Sequence, residues 1–386
     1  MKKALVLLGE SKYNVLVKAA ELVAKGIEKC GYSVYIVNVV SMIENHTLEE
    51  FDYDEYDVIF SCQAVLSDWC GKDEKGFLAN YRGKYIGWIF DDFMYHMDRI
   101  SQFRYNHTYL LTIDEQFPKY ICEILPEILH CGFLPHGGFQ QKTSIDIGEK
   151  NIDILVSGNL GEMPEITDYI SDPMPIELDI IKKSLHYLEC NTTHSVRQAV
   201  EHVMLGLGGR CDGGLWRELH GCMRYIDQYI RFVWKKRIID CLIQMGLQVH
   251  IVGEGYSIDE YLQQNNVTVH GGMDVDEFVD MVGKSKIVVN TSLTLTGGIH
   301  ERIATALLGK AICFSPECYY LRDNFSESVH CIDLLNLQAM TDKILEILEN
   351  YESYQKQLED SYLWALENHT WEVRGQQMIE MLSTES

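Results

Sequence analysis

Apolar runs of strand length alternate with segments of helical period along this chain, and that rhythm leaves few folds open. Residues 3–8, 35–39, 57–60, 84–90, 109–112 and 128–134 read as six strands. Between the first two, Leu16, Ala20, Val23 and Ile27 fall on one helical face, and Gly31 stands where a left-handed C-cap belongs. A short apolar run is ambiguous by itself. Six in regular alternation read as one Rossmann-like α/β domain. Residues 139–150 are polar and read as a linker. A second α/β domain opens at Asp153-Ile154-Leu155-Val156 and spans 151–367, with strands at 248–252, 267–269, 287–289 and 311–314. A segment at about 162–240 interrupts it and reads as mainly helical.

The length of 386 residues accommodates two such cores, since single cores stop growing near about 250–300 residues. The formal charge of −24 argues against nucleic acid as a partner and against electrostatic docking on an anionic membrane. It leaves room for a small anionic ligand held in a local pocket of donors. The first apolar run is too short for a membrane span, and Glu10 interrupts it, so it reads as a buried strand. Twelve cysteines are scattered from Cys30 to Cys331 without a CxxC pair, which suggests free thiols and a cytoplasmic setting.

The stretch from Val288 to Phe325 carries most of the functional signal. A strand ending at Asn290 is followed by a loop closing on Thr296-Gly297-Gly298-Ile299, and a helix begins near His300-Glu301-Arg302. Free N–H groups and the positive end of the helix dipole favour an anion at such a start. Gly297 and Gly298 let it approach the backbone, and Arg302 can reach it with a charged fork. His300 can donate to a phosphate or a sugar hydroxyl, and Glu301 can accept from hydroxyls. The same residues are also compatible with a plain strand–loop–helix carrying a solvated charged triplet.

Gly298-Ile299-His300-Glu301-Arg302, with Ala306-Leu307-Leu308 after it and Tyr320-Leu321-Arg322-Asp323-Asn324-Phe325 further on, resembles the donor-site segment of CgeB-like bacterial glycosyltransferases. Phe133-Leu134-Pro135-His136-Gly137-Gly138 resembles the segment that joins the two domains of that group. Thr370-Trp371-Glu372-x-Arg374 resembles its C-terminal crossing helix. The likeness spans roughly residues 130–160 and 245–386. It implies a GT-B fold: two Rossmann-like domains facing a central cleft, the first being 1–138 joined by a helix at about 368–386. It implies a metal-independent glycosyltransferase of the hexosyl class with no cofactor, using a UDP-, GDP- or dTDP-linked donor and an acceptor that is a protein, a glycan or a small molecule. The sequence departs from the wider GT-B pattern at Thr305, where an acid usually holds the donor ribose, and at Gly309-Lys310, where Ala-Gly is usual. Glu317 is an alternative ribose partner.

Within that frame, Ser157-Gly158-Asn159 is the loop where small residues admit a diphosphate, and Gly253-Glu254-Gly255-Tyr256 is a base contact or a bare turn. Gly9-Glu10-Ser11 is an acceptor contact or a bare turn. Asp91, Asp92 and His136 are the candidates for proton transfer at the acceptor, with His96 close by in sequence; ordinary strand-end acids and a structural histidine are the alternatives. The Gly-rich run 206–214 lacks the Lys-Ser/Thr of a P-loop and reads as a break in the insert. Trp216, Tyr225, Tyr229, Phe232 and Trp234 are core or an acceptor-facing wall. The histidines and cysteines lack metal-ligand spacing, and no Asp-x-Asp stands where a metal-dependent transferase would carry one. Two other functions fit the same residues: a sugar-nucleotide epimerase, and a non-catalytic subunit that binds a nucleotide sugar.

Overall fold

Among the described residues, twelve strands form two separate sheets, and every pairing is parallel. The computed structural model describes residues 2–70, 76–143, 145–256, 259–292, 295–325 and 328–384. The chain divides into a first unit, Met1–Gly137 with Asn368–Ser386, and a second, Gly138–Glu367.

The first unit holds β1 (Lys2–Leu8), β2 (Tyr32–Asn38), β3 (Val58–Cys62), β4 (Lys84–Ile89), β5 (Thr108–Thr112) and β6 (Cys131–Phe133), in the order β2-β1-β3-β4-β5-β6. From Ala4 onward β1 is buried, and β3 is buried throughout, which is why both read as unbroken apolar runs. Each fully buried Leu or Val contributes about 1.5–3 kcal/mol. β2 lies at the edge and leaves Tyr35 and Ile36 exposed. It starts three residues earlier than its apolar pattern predicts, and Val39 already begins a short helix capped by Asn38. Only Cys131–Phe133 of the expected 128–134 strand pairs with β5.

The helix Val15–Lys29 buries Ala20, Val23 and Ile27, and the C-terminal helix Trp371–Thr384 crosses it at backbone contact. A Cβ on Gly26 would lie 2.0 Å from Glu372 O, and one on Gly375 would lie 2.3 Å from Val23 O. Lys29 and Glu372 pair at 2.6 Å beside this crossing.

The second unit holds β7 (Ile152–Ser157), β8 (Val249–Val252), β9 (Val267–Val269), β10 (Ser285–Asn290), β11 (Ile312–Pro316) and β12 (Val329–Ile332), ordered β12-β11-β10-β7-β8-β9. Between β7 and β8 the chain forms the helices Pro175–Cys190, Val196–Gly206, Gly213–Glu218 and His220–Gln244. The Gly-rich run separates the second from the third of these. Trp216 and Trp234 are core, whereas Tyr225, Tyr229 and Phe232 are half-buried.

The segment expected as a polar linker packs instead into this unit. Phe139 is buried, Gln140 donates to Tyr362, and Lys142 pairs with Asp276. Lys150 is buried, and its Nζ donates to the carbonyls of Gly283, Ser285 and Gly309 at 2.8, 2.8 and 2.9 Å. Three donors meet three acceptors, two of them at helix C-termini where a cation is favoured. Among the described residues, no helix is long and apolar enough to cross a membrane.

Candidate functional site

The strand order of the second unit reverses at β7. The chain proceeds from β7 to β8 and β9 on one side, then returns to place β10 on the other. In open parallel sheets, ligands bind outside the carboxyl ends of the strands at this reversal, where successive connections leave in opposite directions and open a crevice. The register sets Asn290 beside Ser157, so the loops after β7 and β10 flank it.

Ser157 O accepts from Arg302 Nη1 at 3.2 Å and from Thr291 Oγ1 at 3.4 Å. Gly158 has φ +121°, and a Cβ there would meet Arg302 Nη1 at 3.0 Å. Gly253 has φ +146°, and its Cβ would lie 2.6 Å from Gly158 O, so only glycine permits these two loops to touch. Asn159 Oδ1 accepts from Glu254 N at 2.9 Å, and Tyr256 donates its hydroxyl to Gly158 O at 2.6 Å. Tyr256 is therefore a buried strut under the loop, with no exposed ring for a base.

On the β10 side, Gly297, Gly298 and Ile299 are buried, and His300 caps the helix Glu301–Leu308, its Nδ1 accepting from Arg302 N at 3.5 Å. Glu301 contacts the His300 ring and lies 3.8 Å from Arg302 Nε. Thr305 lies on the inner side of this helix. It is buried, and its hydroxyl accepts from Phe139 N at 3.1 Å. Glu317 remains partly exposed after β11, 4.0 Å from Arg322.

Lys235, which the sequence did not single out, completes the group. It projects from the long helix His220–Gln244 and donates to Asn159 O. Burial lowers its pKa to about 7, with the charges of Arg302 and Arg231 adding to the shift. Its neighbours on the helix are compensated: Arg231 pairs with buried Asp227 at 3.1 Å and Lys236 with Asp240 at 2.9 Å. Lys235 and Arg302 thus converge on one glycine-containing loop, in a chain of net charge −24. The run Arg231-x3-Lys235-Lys236-Arg237 was the signal available in the sequence.

In the first unit, Asp91 is the exposed member of its pair, its side chain 58% accessible. It accepts from Gln63 Nε2 at 2.6 Å and lies 3.6 Å from His96 Nε2. Asp92 is buried and caps a turn by accepting from Met94 N at 3.0 Å. His136 is buried against Phe90 and Trp371, at ring distances of 5.1 and 5.6 Å. Gly9 packs against Val65, Glu10 is exposed, and Ser11 Oγ accepts from Leu16 N at 2.8 Å.

No family model matches the sequence, and no curated protein matches it. Solved structures do match, along the whole chain. Sucrose-phosphate synthase from Thermosynechococcus elongatus aligns with a TM-score of 0.58 at 9% identity, covering 100% of this chain and 99% of that one. An alpha-glucosyltransferase in complex with UDP-glucose and DNA containing an abasic site gives 0.59 at 10% identity over 99% of both chains. HepE from Anabaena, in complex with UDP-glucose, gives 0.54 at 12% identity over 100% of both. The fold is GT-B. At these identities the likeness is one of architecture. Within this GT-B chain the crevice at β7 and β10 is defined by its own residues: a glycine-lined loop, a helix start and two converging cations.

Proposed function

We propose that this chain transfers a sugar from a nucleoside-diphosphate sugar to a hydroxyl acceptor, with the donor held in the second unit. The observation that carries this reading is the convergence of Arg302 and Lys235 on the loop Ser157–Asn159. Two cations against a glycine loop beside a helix start meet the charge of a diphosphate without a metal ion. The neighbours whose structures contain UDP-glucose favour a UDP-linked hexose over a GDP- or dTDP-linked one. The CgeB-like segment Gly298–Arg302 supports the same assignment.

In the proposed reaction the acceptor oxygen bonds the anomeric carbon, the bond from that carbon to the diphosphate breaks, and the nucleoside diphosphate leaves. Arg302, Lys235 and the N–H groups at the start of the helix Glu301–Leu308 stabilise its developing charge. Ser157, Gly158, Asn159, Gly253, Gly297, Gly298 and Ile299 supply close backbone approach, and His300 and Glu301 meet sugar hydroxyls. Asp91 takes the acceptor proton, being the accessible carboxylate of the three groups considered for that role. One of these neighbours is in complex with DNA containing an abasic site. The net charge of −24 here disfavours a polyanionic acceptor.

The enclosure of Thr305 favours one rival, a subunit that binds a nucleotide sugar without turning it over, because no acid occupies the expected ribose position. Incubation with UDP-[14C]glucose separates the readings. Release of free glucose, or transfer to an acceptor, supports a transferase. Appearance of an epimer supports an epimerase, and binding without turnover supports the non-catalytic reading.

A further inference from the structure

The first unit has its own strand-order reversal, between β1 and β3. The loops that leave these strands are strained: Tyr13 and Asn14 after β1, and Gln63, Ala64 and Leu66 after β3, all have φ between 50° and 69° without being glycine. Gln63 is held there from four directions. Its N–H donates to Trp88 O at 2.8 Å, its carbonyl accepts from Arg99 Nη1 at 3.0 Å, and its Oε1 accepts from Phe90 N at 3.2 Å. Its remaining amide group donates to Asp91 at 2.6 Å. The strain is thus coupled to the placement of one exposed carboxylate.

Two cavities open beside these loops. The smaller, about 130 Å³, combines apolar Leu8, Leu16, Val17 and Val65 with polar Glu10, Gln63, His96 and Arg99. The larger, about 660 Å³, is lined by Val39, Ile43, Leu48, Leu66 and Trp69, with Glu49 and Asp68 among its polar groups. Val65 and Arg99 line both, so the two share a wall. Volumes of this order suit a small molecule. The charge disfavours an anion: the acids Glu10, Glu49 and Asp68 line these cavities with His46, His96 and one guanidinium, and Arg99 donates to Gln63 O and lies 4.0 Å from Asp68.

We propose that these adjoining cavities bind the acceptor, and that the acceptor is a small, uncharged hydroxyl compound with an apolar body. The body lies against Ile43, Leu48 and Trp69, and the hydroxyl is directed toward Gln63 and His96, the two lining residues that contact Asp91, with Gln63 as the positioning residue of that carboxylate. This assignment rests on the transferase reading above, and it narrows the acceptor class.

The test uses 4-methylumbelliferone at pH 6.5 and octyl glucoside as probes, with maltoheptaose and a DNA dodecamer as contrasts. Binding is followed by saturation-transfer difference NMR, and transfer is followed with UDP-glucose. Ile43 is 55% exposed, so Ile43→Asp places a charge in the groove without cutting the core; Leu345→Asp, at an exposed site in the second unit, is the control. The expected result is binding and glucosylation of the two apolar probes. Both should fall at least tenfold in Ile43→Asp and stay unchanged in Leu345→Asp, while the thermal shift with UDP-glucose stays equal in all three proteins. The proposal is overturned if wild type binds neither probe, if Ile43→Asp binds them as well as wild type, or if only maltoheptaose or DNA is glucosylated. It is also overturned if the probes bind but are not glucosylated while UDP-glucose is hydrolysed. Failure of the transferase reading is seen separately, as the absence of any thermal shift or turnover with UDP-glucose.

Discussion

Arg302 Nη1 donates to Ser157 O at 3.2 Å across 145 positions of sequence, joining the helix start after β10 to the carboxyl end of β7. This bond closes the β7–β10 crevice on one side and leaves the rest of the guanidinium fork beside Gly158. Arg302→Ala removes a charged donor from the proposed diphosphate site. A charge-assisted hydrogen bond is worth about 1.5–3 kcal/mol, so UDP-glucose should bind about 10–150-fold more weakly. Arg302→Lys keeps the charge but loses the fork and should fall between. Isothermal titration calorimetry checks both, and unchanged affinity in Arg302→Ala would remove the site assignment.

Lys235 makes the same site sensitive to pH. Its pKa is lowered to about 7, so it loses its proton as pH rises through neutrality and can then no longer offset a diphosphate charge. The diphosphate of UDP-glucose is a diester and does not titrate in this range. Affinity should therefore decline between about pH 6.5 and pH 9, with proton uptake on binding near neutrality. Lys235→Met should bind weakly and show a flat profile. A sloping profile in Lys235→Met would assign the titration to another group.

Lys150 is a structural donor, its pKa lowered to about 7 by burial and then by the Lys310 charge, and its replacement should act on stability and not on ligand contacts. Lys150→Met leaves the carbonyls of Gly283, Ser285 and Gly309 without their shared donor in a buried position. Unsatisfied buried polar groups cost about 1–3 kcal/mol each, with incomplete additivity, so a loss of at least about 2 kcal/mol is expected. For a unit of this size that lowers Tm by about 4–8 °C. Calorimetry should find the shift in the transition assigned to the second unit.

Gly375 tests the return of the C-terminal helix to the first unit. A Cβ there would lie 2.3 Å from the backbone oxygen of Val23, an atom that cannot rotate away. Gly375→Ala should force the two helices apart and destabilise the first unit by about 1–3 kcal/mol, despite the better helix propensity of alanine. A thermal melt that rises in Gly375→Ala would contradict the close crossing.

Acid should loosen the same region through His369. Burial first, and the Arg374 charge second, lower its pKa to about 3, and its Nδ1 lies 2.6 Å from Arg374 Nη2. The unfolded chain binds this proton near pH 6.5 and the folded chain near 3, so the unfolded state binds more protons between them. Stability should fall as pH drops from about 6.5 toward 3. His369→Gln should reduce that slope in denaturant titrations at a series of pH values.

Much of this architecture was written locally. In β7 and β10 the apolar residues are consecutive because both faces of a parallel sheet are covered, and that pattern needs no knowledge of partners. The helix start at His300–Arg302 was legible for the same reason: a glycine pair, a cap and a first-turn arginine lie within six residues. The sequence alone thus determined the α/β class, the two sheets, the helical insert and one edge of the crevice. Tertiary structure decided what lies opposite that edge. Lys235 reaches Asn159 from 76 positions away, because the insert folds its long helix back over the β7 loop. Thr305 is shut in by Phe139 from 166 positions away, and Asp92 and His136 are enclosed by their own unit. Strand order also lies beyond local pattern, since any of several apolar runs could pair with β7. Burial and long-range approach depend on how the whole chain closes, and no short window of sequence carries that information.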